Sequence, residues 1–80
     1  MIRLSKHAQE ALDERKIAFD WVQRTLAAPD YSTVDPNDAS LIRSFKAIDE
    51  AGGRVLRVVR RPDGTDILVV TVHFDRGARR

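Results

Sequence analysis

The chain has 80 residues and no cysteine; charged residues make up 32% of it and hydrophobic residues 42%. This balance is typical of one small folded domain, and it excludes a disulfide framework and a cysteine-based zinc site. The longest uninterrupted apolar run covers only residues 67–70, and no long apolar segment follows the first methionine. Such a run is too short to cross a bilayer, so we expect a cytoplasmic protein that does not contact membranes. We also expect that it carries no cofactor.

The net charge of +2 is unevenly divided along the chain. Residues 1–40 contain five basic and seven acidic side chains, whereas residues 41–80 contain nine basic and five acidic ones. The second half includes the arginine-rich stretch RVLRVVRR and the basic terminus RGARR. A local excess of positive charge indicates an anionic partner such as RNA, and an ordinary solvated surface is the other interpretation.

The first elements are expected to be two helices. Ser5 has a good helix-capping side chain, and apolar residues recur every three or four positions after it, which predicts a helix over about residues 6–15. A second stripe with similar spacing predicts a helix over about residues 19–28. Pro29 ends this helix because the residue before a proline disfavours the α conformation, whereas Ala18 offers no capping side chain at its start.

After the second helix, four segments rich in β-branched and aromatic residues predict four strands, separated by the turn sequences DPND, EAGGR and RPDGT. These strands cover about residues 30–34, 41–49, 54–61 and 66–74, and a short additional strand at residues 2–4 is compatible with the pattern. Two helices followed by four strands predict an α+β fold of order ααββββ, in which both helices pack on one face of a four-stranded antiparallel sheet.

The turn sequences also predict which side chains share a face of the sheet. RPDG as a three-residue hairpin loop pairs Val58 with Leu68, and the two glycines at 52–53 as a two-residue loop pair Ala47 with Val58. This sorting predicts one nearly apolar face beneath the helices, with Phe45, Ala47, Leu56, Val58, Leu68, Val70, Val72 and Phe74. The other face, the open face, is expected to carry an apolar strip of Ile48, Val55, Val59, Ile67 and Val69, with Ser44, Lys46, Arg57, Arg61, Thr71 and His73 around it.

An exposed apolar strip with a charged rim is typical of a binding surface. We expect Ile48, Val55, Val59 and Val69, together with Arg60 and Arg61, to contact either RNA or a protein partner. A second copy of the chain covering this strip in a homodimer is a further interpretation.

The polar residues of this face are also those that metal-independent RNA cleavage requires. The reaction needs a group that takes the 2′-hydroxyl proton, a group that protonates the leaving oxygen, and cations that neutralise the phosphate. The candidate catalytic residues are His7, Arg15, Lys46, Arg57 and His73. The two histidines lie 66 residues apart with no metal-ligand spacing around either, so no metal site is predicted.

Other functions fit the same residues. His7 lies at the second position of the first helix, where the positive helix end favours a neutral ring that ties the helix to the sheet by one hydrogen bond. A non-catalytic interaction module and an enzyme acting on a small anionic substrate near His7 are therefore alternatives to a ribonuclease.

The stretch HAQEALDERKI at residues 7–17 resembles the opening block of a bacterial domain-of-unknown-function family, number four-two-five-eight, whose members typically read His-Ala-x-x-Arg-Met-x-x-Arg-Gly-Ile. His7, Ala8, Arg15 and Ile17 match this block, and Leu12 stands conservatively in the methionine position. The later segments LIRSFKAID, GGRVLRVV and ILVVTVHF follow the layout of the family. The resemblance therefore covers most of the chain.

Three positions depart from the family pattern. Ala11 stands where the first arginine is usual, Lys16 replaces a glycine, and His73 stands where an aromatic residue is common. The layout is similar to the RelE/ParE and BrnT toxins, which implies a RelE/BrnT-like fold and an endoribonuclease held by a cognate antitoxin protein. If the family's chemistry depends on the first arginine, Ala11 would weaken it in this chain.

Overall fold

The computed structural model describes residues 1–78 and confirms the two predicted helices, α1 (Lys6–Arg15) and α2 (Phe19–Ala27). Arg79 and Arg80 of the predicted basic terminus lie outside the described residues. The strands are β1 (Ile2–Leu4), β2 (Tyr31–Val34), β3 (Ile42–Ile48), β4 (Arg54–Asp63) and β5 (Asp66–Phe74), with a 3₁₀ turn at Asp49–Ala51 between β3 and β4.

The five strands form one mixed sheet in the order β1-β5-β4-β3-β2. β1 runs parallel to β5, and every other neighbouring pair is antiparallel. The α+β class is confirmed, and the short additional strand that the pattern allowed at residues 2–4 is present. Because this strand joins the sheet parallel to β5, the prediction of a four-stranded antiparallel sheet is wrong. A three-residue strand has too weak a sequence pattern to be assigned without its partner.

Ser5 caps α1 as predicted and also connects it to the sheet. Its Oγ accepts a hydrogen bond from the Ala8 amide at 3.0 Å and donates one to the Val70 carbonyl at 2.7 Å. The Ser5 amide donates to the Val69 carbonyl at 2.9 Å. The start of α1 is therefore fixed directly beside the middle of β5, while α2 begins at Ala18 without a side-chain cap, also as predicted.

The hydrophobic core lies between the helices and one face of the sheet, the covered face. Ala8, Leu12 and Val22 contribute from the helices, and Leu56 and Val58 from the centre of β4. Because burying a Leu or Val side chain contributes about 1.5–3 kcal/mol, this shared layer is what holds the helices on the sheet. The remaining buried members of the core are Ile17, Ile48, Val69 and Val72.

The register between β3 and β4 differs from the prediction by an odd number of positions. Ile48 pairs with Arg54, so that residues 49–53 form a five-residue connection, with Gly52 in the left-handed conformation at φ 71°. Because side chains alternate along a strand, an odd shift moves every β3 side chain to the opposite face. The prediction is therefore wrong for Phe45 and Ala47, which lie on the open face, and for Ser44, Lys46 and Ile48, which lie on the covered face.

The β4–β5 hairpin contains a two-residue loop and a bulge instead of the predicted three-residue loop. Asp63 pairs with Asp66, and the register then shifts between Val59 and Arg60. A bulge adds one residue to one strand and reverses the alternation there. The faces of β5 near the loop are consequently reversed from the prediction: Ile67 and Val69 lie on the covered face and Leu68 on the open face.

The predicted apolar strip is not an exposed surface. Ile48 and Val69 are 1% and 0% exposed and belong to the core. Val55 and Val59 do lie on the open face, but they are only 7% and 5% exposed. These four residues leave almost no accessible apolar area for a partner, so a homodimer that depends on this strip loses its main support.

Lys16 ends α1 in the left-handed conformation, with φ 54° and ψ 46°. This conformation costs a residue with a Cβ about 1 kcal/mol and costs glycine almost nothing. We therefore expect Lys16→Gly to raise the free energy of unfolding by about 1 kcal/mol in urea denaturation. Gln9→Gly, inside the same helix, is the control and should lower it; stabilisation by both substitutions would contradict this explanation.

Candidate functional site

A cleft opens between α1 and the second half of β5. β1 covers the edge of β5 only along residues 67–69, after which the chain turns into α1. The cleft has a volume of about 290 Å³. Its lining residues are His7, Glu10, Ala11, Glu14 and Arg15 from α1, and Thr71, Val72 and His73 from β5. We call it the α1–β5 cleft.

Helix spacing explains the α1 side of the cleft. His7, Ala11 and Arg15 follow one another at intervals of four residues, which places them on one side of a helix. His7 and Arg15 are exposed, and the small side chain of Ala11 between them leaves room in the middle of the cleft. Three positions singled out from the family block therefore lie along one wall.

Strand alternation explains the other side. Thr71 and His73 project from the open face at the edge of β5, whereas Val72 between them is buried in the core. The structure thus brings together three of the five candidate catalytic residues, His7, Arg15 and His73.

His73 is held by a cross-strand pair with Arg57. An Arg57 Nη2–H donates to His73 Nε2, and Arg57 Nη1 lies 3.3 Å from the carboxylate of Asp75. Burial, followed by the charge of Arg57, holds the pKa of His73 below its ordinary value of 6.5; Asp75 opposes this shift, while Arg15 and Arg43 add to it. His73 is therefore neutral near pH 7. Because a guanidinium can only donate, Nε2 is the acceptor and the ring proton lies on Nδ1.

The lowered pKa of His73 predicts a pH dependence of stability. Below pH 6.5 the unfolded chain binds a proton at this position before the folded protein does, so the free energy of unfolding should fall as the pH is lowered. In urea denaturation at pH 7.5 and 5.5, we expect His73→Asn to reduce this fall. An equal fall in the wild type and the variant would contradict the assignment.

Charges of both signs face the cleft. Glu10 and Glu14 are exposed, and neither forms a side-chain hydrogen bond or ion pair with another residue among 1–78. Arg15 likewise forms no salt bridge within that part of the chain. These three charged groups are therefore available to a ligand rather than engaged with one another.

The other predicted residues lie elsewhere. Lys46 donates to the Ala28 carbonyl at 2.8 Å on the covered side of β3, so its predicted place beside His73 is wrong because of the β3–β4 register. Arg60 lies near Ser44 Oγ at 3.4 Å. Arg61 is exposed in a separate shallow groove near the β4–β5 loop. None of these three side chains lines the α1–β5 cleft.

Sequence reasoning missed three groups at or beside the cleft, Glu10, Glu14 and Asp75, and it placed Thr71 on the open face without giving it a role in the site. Helix spacing from His7 was a sufficient signal for Glu10 and Glu14, since residues three and seven positions along lie on the same side. Asp75 carried no comparable signal, because its contact with Arg57 depends on where the chain turns after β5.

His7 does not form the hydrogen bond to the sheet that we expected if its role is to tie α1 to the sheet. It is exposed and has no hydrogen-bond partner among the described residues. Ser5 makes the connection to β5 instead. Its imidazole nitrogens are therefore accessible from the cleft.

The fold and the cleft define a small α+β protein with a mixed-charge site between its first helix and its last strand. A family model described as Domain of unknown function (DUF4258) matches residues 4–74, and the chain belongs to this family. No curated protein and no solved structure matches the chain. The matched range includes every residue that lines the cleft.

Two further features of residues 1–78 bear on the class of site. Neither of the two helices has the length and apolar content that a membrane crossing requires. No group of three or more histidine and acidic side chains in this range is arranged to hold a metal ion.

Proposed function

We propose that the protein is a metal-independent endoribonuclease, the toxin-like member of a toxin–antitoxin pair, and that it cleaves single-stranded RNA at the α1–β5 cleft. The observation that carries this proposal is the convergence of His7, Arg15 and His73 on one cleft from opposite ends of the sequence. Imidazole and guanidinium groups are the ones that phosphodiester cleavage without a metal requires.

The positive charge around His73 favours an anion there. Arg57 is hydrogen-bonded to His73, and the charges of Arg15 and Arg43 also act on its ring. Asp75 opposes them at this ring, and Glu10 and Glu14 lie across the cleft on α1. A phosphate placed between His73 and Arg15 would be attracted by these guanidinium groups and could accept the Nδ1–H of the neutral His73 ring.

Each residue then has a distinct role in the proposed reaction. His7 takes the proton of the 2′-hydroxyl while the 2′-oxygen bonds to phosphorus. Arg15 neutralises the charge of the five-coordinate phosphorus centre, and His73 donates its Nδ1–H to a phosphate oxygen. The bond from phosphorus to the 5′-oxygen breaks, and this oxygen takes a proton from water in the open cleft. The products are a 2′,3′-cyclic phosphate and a 5′-hydroxyl.

The proposal is tested with purified protein and a labelled single-stranded RNA in the presence of a chelator. We expect cleavage that leaves 2′,3′-cyclic phosphate ends, and no cleavage of the same strand made with 2′-deoxy nucleotides. Intact RNA, or equal cleavage of both strands, would contradict the proposal. Expression of the protein without a partner should also slow growth, and His7→Ala should relieve the effect.

A second candidate is an enzyme that acts on a small anionic molecule. The cleft volume of about 290 Å³ lies at the lower end of the range for small-molecule sites. The same mixture of Arg15 with Glu10 and Glu14 would suit a ligand that has an anionic end and a hydrogen-bond-donating end. Binding of a mononucleotide as tightly as a longer single strand would favour this candidate.

A further inference from the structure

A row of four side chains crosses the open face from the α1–β5 cleft to the opposite edge of the sheet. The registers pair His73 with Arg57, Arg57 with Phe45, and Phe45 with Tyr31. Directly paired residues of an antiparallel sheet project from the same face. Three inter-strand steps separate the ends of this row, a distance of about 14 Å.

The far end of the row is aromatic. The Tyr31 and Phe45 rings are stacked, with centroids 4.5 Å apart and planes 13° from parallel. Phe45 is 5% exposed, whereas Tyr31 lies on the edge strand β2 and is partly exposed. Tyr31 is therefore a partly exposed residue whose ring is stacked on Phe45 through one of its two faces.

The row combines the two kinds of group that bind single-stranded nucleic acid. Arg57 and His73 lie at the end where a phosphate would react, and Arg43 lies on the same face in the next row. Each arginine also pairs with a carboxylate, Arg57 with Asp75 at 3.3 Å and Arg43 with Asp35 at 3.2 Å, so a backbone phosphate would share these cations. Cations that follow the backbone and aromatic rings that stack with bases are the usual means by which proteins bind single strands. Charge and ring chemistry thus fit one occupant along the whole row.

We propose that Tyr31 is a stacking subsite for a nucleobase of the single-stranded RNA whose reacting phosphate lies in the α1–β5 cleft. This inference rests on the proposed ribonuclease function and specifies where the substrate extends. The strand crosses the sheet at right angles to the β-strands, from His73 over Arg57 to Tyr31. Stacking accepts any base, so the subsite contributes affinity without sequence preference.

The test uses an uncleavable 2′-O-methyl single-stranded RNA and measures its dissociation constant. Tyr31→Ala should weaken binding by about tenfold or more, as expected for the loss of one stacked base. Tyr31→Phe should keep most of the affinity because it keeps the ring. Thr33→Ala is the matched control, since Thr33 lies on the same strand and face, and it should change the affinity little.

An abasic scan identifies the base that stacks on Tyr31. When one base at a time is removed from the RNA, a single abasic position should weaken binding to the wild type as much as Tyr31→Ala does. At that position, combining the abasic RNA with Tyr31→Ala should cause no further loss of affinity. The loss of affinity caused by Tyr31→Ala should also be similar at low and high salt, whereas the loss caused by removing an arginine should become smaller as the salt concentration rises. Equal affinities of Tyr31→Ala and the wild type, or additive losses at every abasic position, would overturn the subsite.

The result separates the two proposals. If the wild type does not cleave RNA, the proposed function fails, whether or not it binds RNA. If it cleaves RNA but Tyr31→Ala binds as tightly as the wild type, only the subsite fails. Thermal unfolding of each variant, together with the shift of the Tyr31 ring protons when RNA is added, distinguishes a lost contact from a lost fold.

Discussion

Arg15→Ala is expected to lower the rate of RNA cleavage about 100-fold, the usual effect of removing one group that stabilises transition-state charge. Arg15 lines the α1–β5 cleft at the end of α1, is exposed, and forms no salt bridge with any other residue described in the structure. Its removal should therefore change the reaction and leave the fold intact. Single-turnover cleavage rates and urea denaturation of the same samples measure the two effects separately.

Lys6→Ala is the matched control for this prediction. Lys6 is a second exposed cation on α1 that does not line the cleft. Its removal should reduce cleavage only through the weaker general attraction between the protein and RNA, and this reduction should disappear at higher salt. Equal losses in the two variants would place the reaction outside the α1–β5 cleft.

Leu56→Ala is expected to lower the free energy of unfolding by about 2–5 kcal/mol. Leu56 is 0% exposed at the centre of β4, where it belongs to the core between the helices and the sheet. A small domain has a total stability of about 5–15 kcal/mol, so this substitution removes a large part of it. The urea midpoint should fall strongly, whereas the slope of the unfolding free energy against urea concentration should stay unchanged.

Leu68→Ala provides the comparison and tests the hairpin register at the same time. Leu68 lies on the open face because of the two-residue loop and the bulge in β5, and it is only partly buried. The same chemical change should therefore cost clearly less there than at position 56. A loss at Leu68 as large as that at Leu56 would indicate that Leu68 faces the helices and that the register is wrong.

The elements of the fold were predictable where the signal is local. Ser5 caps α1 through a contact three residues away, and Pro29 follows the end of α2 by two residues. The faces of the sheet were not predictable in the same way. They depend on whether a loop has an odd or even number of residues, and the turn after Ile48 and the bulge near Val59 each reverse this parity.

The candidate site was predictable only in part for the same reason. His7 and Arg15 could be placed on one side of a helix from their spacing, and His73 on the open face from the alternation in the last strand. Their meeting depends on β1, which aligns the start of α1 with β5 through Ser5. Lys46 was placed on the wrong face because one odd shift in a loop moves a whole strand.

The row from His73 to Tyr31 could not be predicted from the sequence either. Phe45 reaches the open face only through the unpredicted five-residue connection after β3. Tyr31 lies next to it through a pairing between β2 and β3 that no turn sequence specifies, because seven residues separate the two strands. Such alignments follow from packing over the whole sheet, which a local pattern does not contain.

The central claim is that the α1–β5 cleft binds RNA, and amide chemical-shift mapping with the uncleavable 2′-O-methyl strand tests it most directly. We expect the largest shifts at His7, Arg15, Thr71 and His73, with a second group at Tyr31 and Phe45 if the strand crosses the open face. Shifts confined to the shallow groove at Ser40, Arg61 and Asp63, or no shifts at all, would contradict the claim.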